Sequence, residues 1–343
     1  MNDLQEKIEQ LKQYLAGGPK NIAILAHTNP DGDAIGSSLA WASVMRHMGH
    51  HVRCLVPNKY PAFLAWMPGI QDVIIAKEQN EEAVSVLDNA DIIFFLDFNR
   101  MDRLENLSRH ITGNSKAVRL LIDHHLDPPL DEYALAFSYP TSCSTSFLVY
   151  QITEKLTGVD VFDKDAAEAL YVGIMTDTGN FSFSFLTPEL FRAVAGLIEK
   201  GIDIPSINSM VYNSYSEGRV RLLGYVLLQK MKIIEGGRAA YIALKEHEMR
   251  RFDFQVGDSE GFVNYPLSIA SVHMSAMFTE TNKFIRISFR SRGNMDVSEF
   301  AARYFNGGGH KNASGGKSFD TIEKTVERFE AAVKEFFAEK GYK

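Results

Sequence analysis

Cysteine is nearly absent: Cys54 and Cys143 are the two present in 343 residues, too few for the disulfide framework of a small secreted protein. Both are expected as buried thiols. No apolar run approaches the roughly 20 residues that cross a bilayer; Ile92–Leu96 is representative, so the chain is not expected to touch a membrane. Residues Met1 to Lys20 lack the basic start, apolar middle and small-residue cleavage site of a secretory signal, and cytoplasmic residence is the expectation. Also missing is any excess of positive charge. The formal net charge is −7, whereas binding to long duplex nucleic acid draws on extended Lys/Arg surfaces. A short, locally held oligonucleotide or polyphosphate stays compatible with that charge, because divalent cations at a site would offset an acidic excess.

Apolar residues make up 45% of the chain and charged residues 23%, an ordinary globular composition. The length favours two domains, predicted over residues 1–203 and 221–343 with a polar, Asn/Ser-rich linker over 204–220. From Asn21 to Asp123, short β-rich runs alternate with amphipathic segments, which predicts an α/β domain: a parallel sheet flanked by helices. The runs are Ile22–His27, His51–Pro57, Asp72–Ala76, Asp91–Asp97 and Val118–Asp123. Helical periodicity follows over Ser144–Lys155, Lys164–Met175 and Pro188–Lys200. The carboxyl lobe reads as a smaller α+β domain, with strands near Val226–Ile234, Arg238–Ala243, Ser271–Thr279 and Lys283–Arg290, then helices over Asp296–Phe305 and Thr321–Glu339. A homodimer is compatible with the apolar helices of 144–200.

Three of the apolar runs end in polar residues: His27, Asp97, and Asp123-His124-His125. Ligands of open α/β sheets bind beyond the carboxyl ends of the strands, so these endings should share one crevice. The loop His27-Thr-Asn-Pro-Asp31-Gly-Asp33 offers one imidazole and two carboxylates within seven residues. That mixed donor set suits Mn, Zn or Fe, although a turn with Asp33 as helix cap explains it too. Asp97 closes an apolar strand, where a buried carboxylate needs a cation or strong donors; an exposed strand end is the alternative. His124 and His125 have side chains on opposite faces of their strand, so one can bind metal while the other faces substrate. Asp177, after a helix, can complete a coordination shell or belong to a helix-ending turn.

The order His27-x3-Asp31-x-Asp33, Asp97, Asp123-His124-His125, Asp177 resembles the DHH phosphoesterase superfamily, which includes RecJ-type nucleases and manganese-dependent pyrophosphatases. Gly307-Gly308-Gly309-His310-Lys-Asn-Ala-Ser314-Gly is similar to the DHHA1 substrate-binding domain, which marks the branch of NrnA-type nanoRNases and 3′-phosphoadenosine 5′-phosphate phosphatases. The resemblance covers nearly the whole chain. It implies that His27, Asp31 and Asp97 bind one ion, that Asp33, Asp97, His124 and Asp177 bind another, and that Asp97 bridges them. Two divalent cations are implied, Mn2+ ahead of Mg2+ or Co2+. Asp123 then orients a histidine and His125 faces the scissile phosphate, so the catalytic set is Asp97, Asp123 and His125.

The glycine triplet would let backbone N–H groups approach an anion, with His310 and Ser314 beside it and Arg103 and Arg290 as further phosphate contacts. A stacking aromatic cannot be singled out among 23 phenylalanines. The expected substrates are very short oligoribonucleotides and 3′-phosphoadenosine 5′-phosphate. Linear or cyclic dinucleotide messengers, pyrophosphate and polyphosphate are the alternatives, and a non-catalytic nucleotide sensor is the reading outside enzymes.

Overall fold

The computed structural model describes residues 2–113, 116–182, 185–255 and 257–341. They divide into two compact units, Met1–Ser214 and Tyr215–Lys343.

The first unit runs α1 (Asn2–Leu15), β1 (Asn21–Leu25), α2 (Gly32–His47), β2 (His51–Val56), β3 (Ile74–Ile75), α3 (Asn80–Asp88), β4 (Ile92–Leu96), α4 (Leu107–Gly113), β5 (Val118–Asp123), β6 (Leu135–Ser138), α5 (Thr145–Leu156), α6 (Lys164–Asp177), α7 (Pro188–Glu199) and α8 (Ile204–Tyr212). Its six strands are parallel, in the order β3-β2-β1-β4-β5-β6. Strand order therefore reverses between β1 and β4. Because parallel crossovers are right-handed, reversal puts the helices on opposite faces. Ile22 and Ile24 pack with α2, α5 and α6 residues such as Trp41, Val149 and Leu170, while Ala23 and Leu25 pack with Leu87 of α3 and Ile111 of α4. Burial on both faces explains the unbroken apolar sequence of β4, whose five residues are all buried.

The second unit contains α9 (Glu217–Tyr225), β7 (Met231–Ile234), β8 (Ala239–Leu244), α10 (Glu246–Arg250), β9 (Met274–Glu280), β10 (Ile285–Ser291), α11 (Val297–Phe305), β11 (Gly308–His310), β12 (Ala313–Ser318) and α12 (Ile322–Lys340). Its mixed sheet is ordered β11-β12-β10-β9-β8-β7, with β8 and β9 parallel and the other neighbours antiparallel. One face packs on α11 and α12 through Phe278, Phe289, Phe300 and Phe329. On the other, Ile242, Leu244 and Met277 meet Leu222 and Phe262.

Several expectations differ from the structure, each for a local reason. The 204–220 stretch is not an irregular linker but holds α8 and the first turn of α9. Ile207 and Val211, four apart, are buried, and Asp203 and Ser216 cap the two helices through the backbone N–H groups of Ser206 and Arg219. Its Asn and Ser residues thus interrupt nothing. Residues 226–230 are a π-helical turn rather than a strand, since Leu222 and Val226 are buried at helical spacing while Leu228 is 80% exposed. The glycine-rich segment 307–316 forms the β11–β12 hairpin. Neither α1 nor β6 is among the expected elements, although Ile8, Leu11 and Leu15 recur at helical spacing in α1 and are buried.

Candidate metal centre

The polar strand endings meet where the strand order reverses, the usual position of a ligand crevice in such sheets. His27 follows β1, Asp97 follows β4, and Asp123 ends β5 with His124 and His125 after it. Asp31 caps α2, its Oδ1 accepting from the N–H groups of Asp33 and Ala34 at 3.1 Å each. The helix cap, for which Asp33 is the alternative reading in the sequence, is therefore made by Asp31. Asp177 is the last residue of α6, inside the helix rather than in the turn behind it.

Two donor groups result: His27, Asp31 and Asp97 form one, and Asp33, His124 and Asp177 the other. Asp97 faces both. Its Oδ2 lies 3.5 Å from His27 Nε2 and its Oδ1 3.5 Å from His124 Nε2. His27 Nε2 is also 3.9 Å from Asp31 Oδ2, and His124 Nε2 is 3.3 Å from Asp177 Oδ2 and 4.0 Å from Asp33 Oδ2. The far nitrogens are held by carbonyls: His27 Nδ1 donates to Thr28 O at 2.8 Å and His124 Nδ1 to Ser142 O at 3.2 Å. Both rings thereby turn Nε2 to the carboxylates, the atom that a metal-ligating histidine offers when its Nδ1–H is held by a carbonyl.

The buried carboxylates crowd one another. Burial, then Asp33, Asp31, Asp177 and Asp123 around it, push the Asp97 carboxyl well above the carboxylate range. Burial also raises Asp33, and burial, helped by Arg103, pulls His27 down to about 4. Burial opposes the charged form of His124, yet Asp177, Asp33 and Asp123 hold its pKa above the usual histidine value. Asp97 sits at φ 65° and Asn29 at φ 52°, left-handed backbone that non-glycine residues adopt rarely outside functional sites. Crowded, buried carboxylates with inward-facing imidazole nitrogens fit divalent cations.

His125 differs from its neighbour. Its Nδ1 donates to Asp123 Oδ1 at 2.7 Å, which leaves Nε2 directed elsewhere. Burial works against the Asp123 carboxylate, but His125 keeps its pKa below the usual value. Asp123 Oδ2 is buried with no hydrogen-bond partner. The proximity of His125 Nδ1 to Asp97 and Asp123 is thus explained by a hydrogen bond, not a third ion site.

Sequence reasoning overlooked the amino terminus of α5. Thr145 N donates to Asp33 Oδ2 at 2.6 Å and Ser146 N to Asp33 Oδ1 at 2.8 Å, while the Thr145 hydroxyl donates to Asp97 Oδ1 at 3.0 Å. A helix start favours an anion, and here it fixes two carboxylates at once. The available signal was the Ser144 cap, whose Oγ accepts from Phe147 N. Gly173 of α6 is needed alongside, since a Cβ there would run into the Ser146 hydroxyl and come within 2.9 Å of Asp33 Oδ1.

The model of the DHH family, N-terminal domain, matches residues 21–174, and that of the DHHA1 domain matches residues 237–339. The chain belongs to the DHH family. Like its members it is a phosphoesterase, a hydrolase. A bifunctional oligoribonuclease and PAP phosphatase NrnA from Thermus thermophilus is 27% identical over 98% of this chain and 96% of that protein. One from Bacillus subtilis is 27% identical over 92% and 95%. The crystal structure of an exopolyphosphatase-related protein from Bacteroides fragilis superposes with a TM-score of 0.90 at 40% identity, covering 97% of this chain and 96% of that one. RecJ from Thermus thermophilus, solved with Mn2+, shares the fold, with a TM-score of 0.54 at 13% identity over 98% of this chain and 55% of that one.

The DHHA1 hairpin carries most of the expected substrate contacts, and the structure divides them. Gly307 and Gly309 allow close strand approach: a Cβ on Gly307 would run into the Gly315 carbonyl, and Gly309, at φ 140°, would bring one within 2.7 Å of Ala313 O. Gly308 has open space at that position, and Gly308 and Gly309 are both exposed. Ser314, expected on substrate, is instead buried and donates to Val297 O at 2.6 Å. Its hydroxyl fastens the hairpin to α11, because alternation along β12 turns it inward. Asn312 braces the same junction through Ser291 Oγ and Met295 O. His310 ends β11, and Arg290 donates to its neighbour's carbonyl, Phe289 O, at 2.9 Å. In the DHH unit, Arg103 O accepts from Thr28 N at 2.8 Å, and its charge acts on His27 and Asp31.

Proposed function

We propose that this DHH protein hydrolyses very short oligoribonucleotides and removes the 3′-phosphate of 3′-phosphoadenosine 5′-phosphate. The two faces of Asp97, one toward His27 and one toward His124, carry the reading. His27, Asp31 and Asp97 would hold one divalent cation, and Asp33, Asp97, His124 and Asp177 the other, Mn2+ being the expected metal. When bound, such a pair lowers the pKa of a water and polarises phosphoryl oxygens. The chain's own groups do the rest. Asp97 presents one oxygen to each side, while Asp33 is fixed by the α5 amides. His125, held through Nδ1 by Asp123, directs Nε2 to donate a hydrogen bond or a proton toward the phosphate or the departing oxygen. The first unit, residues 1–214, would carry the chemistry, and the second, from 215, would hold the substrate through Gly308, His310 and Arg290.

Support for the substrate class comes from full-length relatives named as oligoribonuclease and PAP phosphatase. The likeness to an exopolyphosphatase-related protein favours polyphosphate as a second reading. The test is a turnover panel with Mn2+: a diribonucleotide, a triribonucleotide, 3′-phosphoadenosine 5′-phosphate, cyclic dinucleotide, pyrophosphate and polyphosphate. Turnover of the first three is expected. Turnover confined to pyrophosphate or polyphosphate would sink the proposal.

A further inference from the structure

The mixed sheet of the second unit buries one face under α11 and α12, and on the other Ile242, Leu244 and Met277 of β8 and β9 are covered as well, but the β10–β12 part of that second face differs in character. Along β10, Ile285, Ile287, Phe289 and Ser291 are buried, and Arg286, Ser288 and Arg290 alternate with them on the opposite face. The register sets Arg286 opposite Lys317, Ser288 opposite Gly315 and Arg290 opposite Ala313, with Gly308 and His310 next in line across β12. No carboxylate occupies these positions. Cations alternate with residues too small to obstruct an approaching chain.

The row ends in aromatics. Phe284 precedes β10 and Phe319 follows β12, their ring centroids 6.3 Å apart with planes at 61°. Lys317 Nζ lies 5.2 Å from the Phe284 centroid, whereas Phe319 is 83% exposed. An exposed phenylalanine beside cations is the composition of a single-strand platform: bases stack on the ring, and ammonium and guanidinium groups pair with phosphates. Charge also argues for a polyanion over an apolar protein surface, since Lys317 lies over the Phe284 ring of the aromatic pair and Arg286 is opposite Lys317 in the register.

We propose that Phe319, with Phe284 and Lys317, forms a base-stacking subsite for a single-stranded oligoribonucleotide, beyond the glycine hairpin. The proposal rests on the short-RNA reading above and adds a determinant of substrate length. Lys317 is two strand residues beyond Gly315 and Phe319 two more, so the ring lies on the order of 13 Å along the strand from the glycine row. A mononucleotide bound at Gly308 falls short of it. A strand of several nucleotides reaches it, and Lys317 is placed for a phosphate on the way, beside Arg286, whose guanidinium donates to Ser259 Oγ at 3.3 Å.

Phe319→Ala in the full-length enzyme tests this, with KM and kcat measured from di- to pentaribonucleotide and for 3′-phosphoadenosine 5′-phosphate. Affinity for a fluorescent pentaribonucleotide is measured in parallel with the metals chelated. Loss of one stacked base should weaken the longest substrates roughly 5- to 100-fold, with kcat, the bisphosphate KM and Tm unchanged and Phe319→Trp restoring affinity. Equal pentanucleotide affinity in wild type and variant would overturn the subsite, as would a KM rise of the same size for the bisphosphate. A variant that turns a dimer into a monomer at unchanged affinity would overturn it too, marking the ring as a protein contact. Wild type that binds the pentanucleotide through Phe319 without hydrolysing it would support the subsite while removing the catalytic reading.

Discussion

Asp97 joins the two donor groups, and its removal should affect both. Asp97→Ala is expected to lower kcat/KM by about a thousandfold or more and to reduce bound Mn2+ below two per chain, read by steady-state kinetics and by metal analysis after gel filtration. Full turnover by this variant would defeat the bridging assignment. His125→Asn should separate chemistry from binding: a kcat loss of roughly 100- to 10,000-fold with the Mn2+ isotherm unchanged, because Asp123 already occupies its Nδ1. Thr145→Val removes the donor to Asp97 Oδ1, the oxygen on the His124 side. It should weaken one of two Mn2+ sites by roughly 10- to 100-fold in a titration calorimeter, with Thr145→Ser retaining affinity. Most of these residues are legible in sequence because chemistry restricts a cation site to few side-chain types. Thr145 is not, since a threonine at a helix start is an ordinary residue until the carboxylates it serves are brought beside it.

The helices and strands that hold the site were legible where one periodicity dominates. β4 is apolar throughout because both faces are covered, and α7 buries Leu190, Val194 and Leu197 along one side. Boundaries failed where polar residues had structural tasks, as at 204–220. Glu248 of α10 is such a residue: nearly buried, it accepts from the Tyr225 hydroxyl at 2.6 Å, Lys230 Nζ at 2.7 Å and Lys245 N at 2.9 Å. Burial alone would raise its pKa, but Lys230 and the other donors bring it down to about 2. A depressed carboxyl contributes stability that is present above its unfolded pKa and fades as pH falls through the folded value. The second unit should therefore lose stability between about pH 4.5 and 2 more steeply in wild type than in Glu248→Gln. At neutral pH the variant should be destabilised by about 2 kcal/mol in denaturant titrations. Parallel acid unfolding curves for the two proteins would contradict this account.

At the scale of the molecule, five aspartates gather at one end of one sheet, a cluster that divalent cations would neutralise. Chelation should abolish turnover and lower the Tm of the first unit, and Mn2+ should restore both, as linkage to a ligand of the native state requires. An unchanged Tm after complete metal removal would show that the carboxylates are stable by themselves. The sequence by itself determined the chemistry and its approximate framework: alternating apolar runs demand a parallel sheet with covered faces, and His, Asp and Gly at the run ends restrict what can bind there. Register and layer depend on contacts between residues far apart in the chain, so only the tertiary structure could decide them. It set the reversal of strand order between β1 and β4, the turning of Ser314 inward, the docking of the α5 amides on Asp33, and the placing of Phe319 at the end of a cationic strand face.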